Sequence, residues 1–243
     1  MAFAGGQDGG RAFIDLHCHT SASFDCLSAP AAVVRAAASR GLTHLAVTDH
    51  ETVEGALEAR EAARTHAPDL TVIVGEEVRT REGDLIALYI ERAVPRGLSV
   101  TETIAAVREQ GGLIGVPHPF DRYRGSLLRA LTGSPIESPV DWIEVHNARV
   151  IVGDGNAQAA AYAADHGLPG VAVSDAHSVI EVGVAYTALG GDPGTPAGLM
   201  AALPTAELIT GRASYYVRLL TPMAKVVQRL RGHRRPVAAG GPS

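Results

Sequence analysis

Apolar residues along this chain fall into short runs separated by longer amphipathic or alanine-rich stretches. Segments 12–17, 43–48, 70–75, 85–90, 113–117, 142–146, 170–174 and 207–210 are short and mostly apolar, which predicts strands. Segments 30–40, 53–65, 101–110 and 155–166 predict helices, several of them stopping at glycine, as at Arg40-Gly41 and Gln110-Gly111-Gly112. Repeated strand then helix implies parallel strands with crossover helices. Mostly apolar strands are expected to be covered on both faces. A closed or nearly closed (β/α) barrel and an open doubly wound sheet both satisfy the pattern. No Gly-rich phosphate loop follows the first strand, which counts against a nucleotide-binding open sheet.

No internal repeat interrupts the series, so residues 11–221 are expected to form one domain, after a glycine-rich leader at 1–10. From Pro222 the chain changes: Lys225, Arg229, Arg231, Arg234 and Arg235 make it basic. Residues 222–243 are expected to be a terminal helix with a disordered end. A solvated end is the simpler expectation for it, and a contact with phosphate or nucleic acid the other.

At 243 residues the chain has the usual length of a single barrel. Hydrophobic residues at 46% and charged residues at 19% are a globular balance. The formal charge of -5 argues against a protein that coats nucleic acid. It leaves a small anionic substrate open, because bound cations add charge that the count omits. Two cysteines, Cys18 and Cys26, are too few for a disulfide framework. With no signal-peptide pattern and no long apolar span, a cytoplasmic enzyme is expected.

The chemistry collects at the ends of the strands. Segment 12–17 runs into His17-Cys18-His19-Thr20, and side chains at i and i+2 of a strand share a face, so two imidazoles point together. Asp25 follows in a polar loop. The second strand ends in Asp49-His50, the third in Gly75-Glu76-Glu77, the fifth in His118, and the seventh in Asp175-Ala176-His177. Single residues of this kind serve as caps or core hydrogen-bond partners. Five strands ending independently in His, Asp or Glu predict a metal site at the C-terminal edge, where parallel α/β folds build their sites.

The ordered set resembles the PHP (polymerase and histidinol phosphatase) family from about Phe13 to Leu220. It is carried by His17-x-His19-Thr20-x-x-Ser23-x-Asp25, Thr48-Asp49-His50, Gly75-x-Glu77, Val116-Pro117-His118-Pro119 and Ser174-Asp175-Ala176-His177. The resemblance implies a distorted (β/α)7 barrel holding two or three divalent ions of zinc, manganese or iron. It implies one ion on His17, His19, Glu77 and Asp175, and a second on Glu77 and His118. A third would take Asp25, His50 and His177. Where many relatives carry a histidine, this chain has Asp84, an anionic oxygen donor expected to serve the second ion with altered preference. Glu76 competes with Glu77 for the bridging position, and neighbours on a strand face opposite ways, so only one points inward. Asp49 is expected beside a histidine rather than on a metal. His146 departs from the family pattern; it either lines the pocket or is simply buried.

Such a centre suits phosphate-ester hydrolysis by a metal-activated hydroxide. Asp175 or His177 would assist proton transfer. Arg122, Arg124 and Arg149 are the candidate phosphate donors, and Phe120 and Tyr123 the candidate stacking partners of a base. The expected substrate is a small phosphate ester, nucleotide-like or similar. The alternative is a 3'-5' exonuclease or another enzyme trimming oligonucleotides.

Overall fold

The computed structural model describes residues 10–131, 139–213 and 217–232. Most of the expected leader lies outside them, as do His233, Arg234, Arg235 and 236–243. The elements are β1 (Arg11–Asp15), α1 (Pro30–Ser39), β2 (His44–Val47), α2 (Glu54–His66), β3 (Thr71–Arg79) and β4 (Asp84–Leu88). After them come α3 (Val100–Arg108), β5 (Leu113–Val116), α4 (Leu127–Ala130), β6 (Trp142–Asn147), α5 (Gly155–His166) and β7 (Gly170–Val173). The chain continues through β8 (Tyr186–Gly190), α6 (Pro196–Ala202), a 3-10 turn (Leu203–Thr205), β9 (Glu207–Ile209) and α7 (Val217–Leu230).

One sheet in the order β7-β6-β5-β4-β3-β2-β1-β8-β9 curls into a nearly closed barrel. The curl brings the segments after β1 and β7 together: Cys18 bridges Ala176 in parallel, and the His19 N–H donates to the Ala176 carbonyl at 2.9 Å. At the other end of the seam, β8 lies antiparallel to β1. It reaches β7 through the Thr187 hydroxyl, 2.9 Å from both Ala172 N and Ala172 O. Buried Asp15 fastens the same seam, accepting from Ser174 N at 3.0 Å and Gly183 N at 3.1 Å.

The expectation of parallel strands throughout is corrected at four ladders. β4 is antiparallel to β3 and β5, and β8 is antiparallel to β1 and β9. The cause at β4 is its connection: residues 80–83 close a hairpin and leave no room for a crossover helix. The reversal starts β4 at the rim where β3 ends, so Asp84 reaches the same mouth as residues at the far ends of other strands. β8 and α6 were not foreseen. The apolar stretch around β8 is interrupted by Thr187 and ends in Gly190-Gly191, which reads as loop.

Two apolar layers follow from the pleat. Ile14, Leu16, Ala46, Ile73, Ile86, Leu88, Leu113, Trp142, Val171 and Val173 fill the barrel. Leu45, Val47, Val72, Val74, Leu85 and Ile143 face the helices. Gly115 also faces inward, and a Cβ there would sit 2.1 Å from the Trp142 ring, so the indole packs where only glycine leaves space. Helix α7 begins before Pro222 and contains it, so the expected boundary between 221 and 222 falls inside a helix. Among the described residues, no helix is long and apolar enough to cross a membrane.

Candidate metal centre

Alternation along the strands aims most of the donor groups. Counting by twos from Ile73 through Gly75 leads to Glu77, from Trp142 to Glu144, from Val173 to Asp175, and from Ile86 back to Asp84. β1 differs. Ile14 and Leu16 belong to the inner layer, and His17 has the opposite parity, so the chain leaves the regular pleat after Asp15, where β1 ends. That departure turns both His17 and His19 into the mouth.

Glu77 lies at the centre. Its Oε1 is 3.1 Å from His118 Nε2, whereas its Oε2 is 3.2 Å from His17 Nε2 and His50 Nδ1, and 3.3 Å from His19 Nε2. Glu76 faces the helix layer instead and accepts from Val94 N at 2.8 Å. Asp175 Oδ1 points at His17 Nε2, His19 Nε2 and His177 Nδ1 at 3.5–3.6 Å. Asp25 Oδ2 lies 3.4 Å from His177 Nε2 and 3.6 Å from His50 Nε2. Donor atoms of Glu77, Asp84 and His118 all fall within 4.8 Å of one another, and those of His19, His50 and His177 do the same. His118 and Asp175 hold φ of 27° and 52°, a backbone region that non-glycine residues enter only where the surroundings enforce it.

This donor set fits cations. The Nε2 atoms of His17 and His19 face each other at 3.0 Å, and the buried Oδ1 atoms of Asp25 and Asp175 have no hydrogen-bond partner among the described residues. Buried carboxylates and converging imidazoles of this kind are the ligands of zinc, manganese and iron. The electrostatics agree. Burial alone would raise the Glu77 carboxyl, but His50 and His17 hold it well below the usual range. Burial opposes charge on His17, yet Glu144 and Glu77 push its pKa up to about 10. His50 is likewise raised to about 9, by Glu77 and Asp25 against burial. Burial and Arg149 push His177 down to about 4.

A second ring of residues orients the first; Asp49 was expected in it from the sequence, and Glu144 and Asn147 were not named. Glu144 Oε1 meets His17 Nδ1 at 2.6 Å, and its Oε2 accepts from His118 N at 2.7 Å. Asn147 Nδ2 donates to Glu144 at 2.8 Å and to Asp175 at 3.0 Å. The inward parity of Glu144 was the available signal. Asp49 reaches His19 through a hydroxyl: Ser23 Oγ donates to Asp49 Oδ1 at 2.8 Å and lies 3.1 Å from His19 Nδ1. Asp49 also accepts from Thr20 N and Thr20 Oγ1, both at 2.6 Å. His146 turns away from the centre, with its Nε2 2.8 Å from the Gly211 carbonyl.

Above the donors is a cavity of about 360 Å³. Arg124 and Arg149 line it, as do Tyr123 and, from α7, Thr221, Pro222 and Lys225. Arg124 pairs with Asp175 and Asp121. Arg149 donates to Thr221 Oγ1 at 2.6 Å and has Glu181 3.5 Å from its Nε. Arg122 does not line this cavity, and neither does Phe120, which packs edge-on against Tyr162.

The chain matches the PHP domain over residues 15–128 and the PHP-associated region over 153–207. This chain belongs to the PHP family. As a PHP chain it is a metal-dependent phosphoesterase. It is 33% identical over 144 residues to an uncharacterized protein of Methanocaldococcus jannaschii, covering 55% of this chain and 81% of that one. It is 32% identical over 119 residues to a 5'-3' exoribonuclease of Haemophilus influenzae. The match takes in 44% of this chain and only 42% of that protein, less than half of its length. Among solved structures, a two-domain protein of Bacteroides vulgatus containing a predicted PHP-like metal-dependent phosphoesterase superposes with a TM-score of 0.66 at 18% identity. That superposition covers 86% of this chain and 68% of the other. A lesion-specific endonuclease of Pyrococcus furiosus gives 0.59 at 16% identity, over 82% of this PHP chain and 57% of that one. At such identities these two likenesses concern the fold.

Proposed function

We infer that this PHP chain hydrolyses a small phosphate ester, nucleotide-like in character, at a centre of two or three divalent ions. The observation that carries the reading is Glu77, whose two carboxylate oxygens face different imidazole sets. His17, His19, Glu77 and Asp175 would hold one ion, and Glu77, His118 and Asp84 a second. Asp25, His50 and His177 would hold a third. Asp84 is the weakest donor, because its Oδ1 is already 2.5 Å from the Arg79 guanidinium. Zinc, manganese and iron all suit the set.

Bound cations of this kind lower the pKa of water and neutralise phosphoryl charge. The chain supplies orientation. Arg124 and Arg149 offer forked donors at the mouth, suited to phosphoryl oxygens. Arg149 is anchored by Glu181 and Thr221, and Arg124 by Asp121. Of the two residues expected to move protons, His177 is neutral at ordinary pH, with a pKa pushed down to about 4 by burial and Arg149, so it carries no acidic proton to give a leaving group. Asp175 shares its Oδ2 with Arg124 and Asn147.

Oligonucleotide trimming is the second reading, favoured by a neighbouring arginine-lined groove that shares Arg124 and Gly125 with the cavity's lining. The test is a metal analysis joined to a substrate screen. The screen spans mononucleotides, bisphosphates, cyclic nucleotides, short RNA and sugar phosphates, with and without chelator. Hydrolysis that needs metal and disappears in His17→Ala supports the reading, and activity surviving both treatments overturns it. Arg124→Ala and Arg149→Ala should raise KM, and wild-type kinetics in both would remove the arginines from substrate binding.

A further inference from the structure

Helix α7 is amphipathic, but it is turned the opposite way from the helices that cover the barrel. Thr221, Ala224, Lys225 and Gln228 recur at i, i+3, i+4 and i+7, which puts them on one face. That face lies against the protein: Ala224 and Gln228 are buried, and Thr221 and Lys225 line the metal mouth. Met223, Val226 and Leu230 recur at i, i+3 and i+7 on the other face, and they are 61%, 60% and 83% exposed. A helix that packs on its own protein ordinarily buries its apolar stripe, as α1 does with Val33, Val34 and Ala37. In α7 the polar side is inside and the apolar stripe faces water.

Charge beside the stripe selects what covers it. At about 100° per residue, Arg229 and Arg231 project to either side of Leu230. Both are exposed, and among the described residues neither pairs with a carboxylate. No Asp or Glu follows Glu207, whereas seven Lys and Arg residues do, in a chain of net charge -5. An apolar stripe bordered by unpaired cations matches the boundary between lipid headgroups and acyl chains. There the stripe enters the hydrocarbon while guanidinium groups stay among the phosphates. A second copy is disfavoured by the same charges, because α7 against α7 would bring two acid-free cationic helices together. A protein groove is disfavoured by size. Three such side chains offer roughly 300 Å² of apolar surface, well under the ~800 Å² per partner of a specific protein interface. Nucleic acid would engage the cations and leave the stripe in water.

We propose that the outer face of α7 docks on an anionic phospholipid surface, with Met223, Val226 and Leu230 at the acyl boundary and Arg229 and Arg231 at the headgroup phosphates. The helix has 14 residues, short of the ~20 that a bilayer crossing needs, so it lies along the surface. One short helix gives reversible attachment, and the protein partitions between water and membrane. Because the inner face of α7 lines the metal mouth, docking holds that mouth about one helix diameter, ~10 Å, from the surface.

The test uses the full-length chain and vesicles of phosphatidylcholine, alone or with about one-third phosphatidylglycerol. Co-sedimentation should show about tenfold or more binding to the anionic vesicles than to the neutral ones, falling as salt rises. Met223→Gln, Val226→Gln and Leu230→Gln combined should abolish binding to both. All three side chains face water and glutamine suits a helix, so the fold should be kept, which a thermal melt checks. Arg229→Gln with Arg231→Gln leaves the stripe intact and should lose most of the preference for anionic vesicles. Val226→Cys provides a thiol for an environment-sensitive dye, since the native Cys18 and Cys26 are buried. Its emission should shift to the blue on anionic vesicles. No sedimentation with anionic vesicles, sedimentation that survives the triple variant, an anionic preference unchanged in the double variant, or sedimentation without a blue shift each overturns the proposal. Two further results overturn it in favour of a protein occupant, if vesicle binding is absent: a dimer in light scattering that the triple variant dissolves, or saturable binding of an acidic amphipathic peptide. Phosphate-ester hydrolysis enters none of these readouts, so its failure and the failure of docking are distinguishable.

Discussion

Glu144 Oε1 meets His17 Nδ1 at 2.6 Å, which leaves the Nε2 of that ring as the atom facing Glu77 and Asp175. The same carboxylate accepts the His118 N–H, so one buried acid aims two imidazoles from different strands. Such partners fix the tautomer and raise ligand basicity, and losing one typically costs 10–100-fold in metal affinity or activity. Glu144→Gln must turn an NH2 toward one of those two groups. Its metal affinity should fall by about that factor, with secondary structure intact by circular dichroism. An unchanged dissociation constant in a competition titration would remove Glu144 from this role.

Glu76 and Glu77 are neighbours with opposite surroundings. Glu77→Gln should strip the centre of at least one ion, because the Glu77 carboxylate is the anion whose two oxygens face His118 on one side and His17, His19 and His50 on the other. Glu76→Gln should keep full metal content, since the Glu76 carboxyl touches Val94 N and not the cluster. Burial pushes the Glu76 carboxyl up to about 8, so it is mostly neutral at pH 7 and the amide substitutes closely for it. Metal analysis of both purified variants decides the matter. Loss in Glu76→Gln with retention in Glu77→Gln would reverse the assignment.

Much of this centre was legible because strands impose a period of two. Glu77 and Asp175 extend inward-facing rows, and the His17–His19 spacing survives the irregularity at Leu16 because both imidazoles lie on the same side of it. Three things were hidden. The reversal of β4 depends on a short hairpin at 80–83, so Asp84 reaches the site from a strand start rather than a strand end. Glu144 was passed over because it stands beside a histidine, His146, that turns outward at a register shift in the β6–β7 ladder. The role of α7 was invisible, since nothing in a basic amphipathic segment says which loop it will cover.

Protons and cations compete for the same ring nitrogens, so metal binding should carry a definite pH dependence. His17 and His50, raised to about 10 and 9, are protonated at neutral pH and must each release a proton when their ring takes an ion. His177, pushed down to about 4, and His19, held well below its usual value by burial and His177, have none to give. Affinity should therefore rise with pH from 6 through about 9, and proton release should approach two per fully loaded chain at pH 7. Calorimetry in buffers of different ionisation enthalpy measures that number. A value of zero would mean that His17 and His50 do not bind metal in place of a proton.

Gln228 connects α7 to the metal loop. It is buried, and its amide nitrogen lies 2.7, 2.9 and 2.8 Å from the carbonyls of Ser21, Ser23 and Cys26, the turn that carries Asp25. The same helix places Lys225 3.9 Å from Asp25 Oδ2 and Thr221 against Arg149. Gln228→Leu keeps much of the volume and removes the donor, leaving buried carbonyls without it at a cost of about 1–3 kcal/mol. A local loosening of residues 21–26 should lower occupancy at the position proposed for Asp25, His50 and His177 and spare the one proposed for His17, His19, Glu77 and Asp175. The expected result is a lower melting temperature with a fractional loss of metal, largest at limiting metal concentration. Gln228→Glu removes the donor without removing the volume and adds a buried charge facing carbonyl oxygens, so it should be worse than leucine. Full metal content in both variants would show that α7 covers the mouth without holding the loop beneath it.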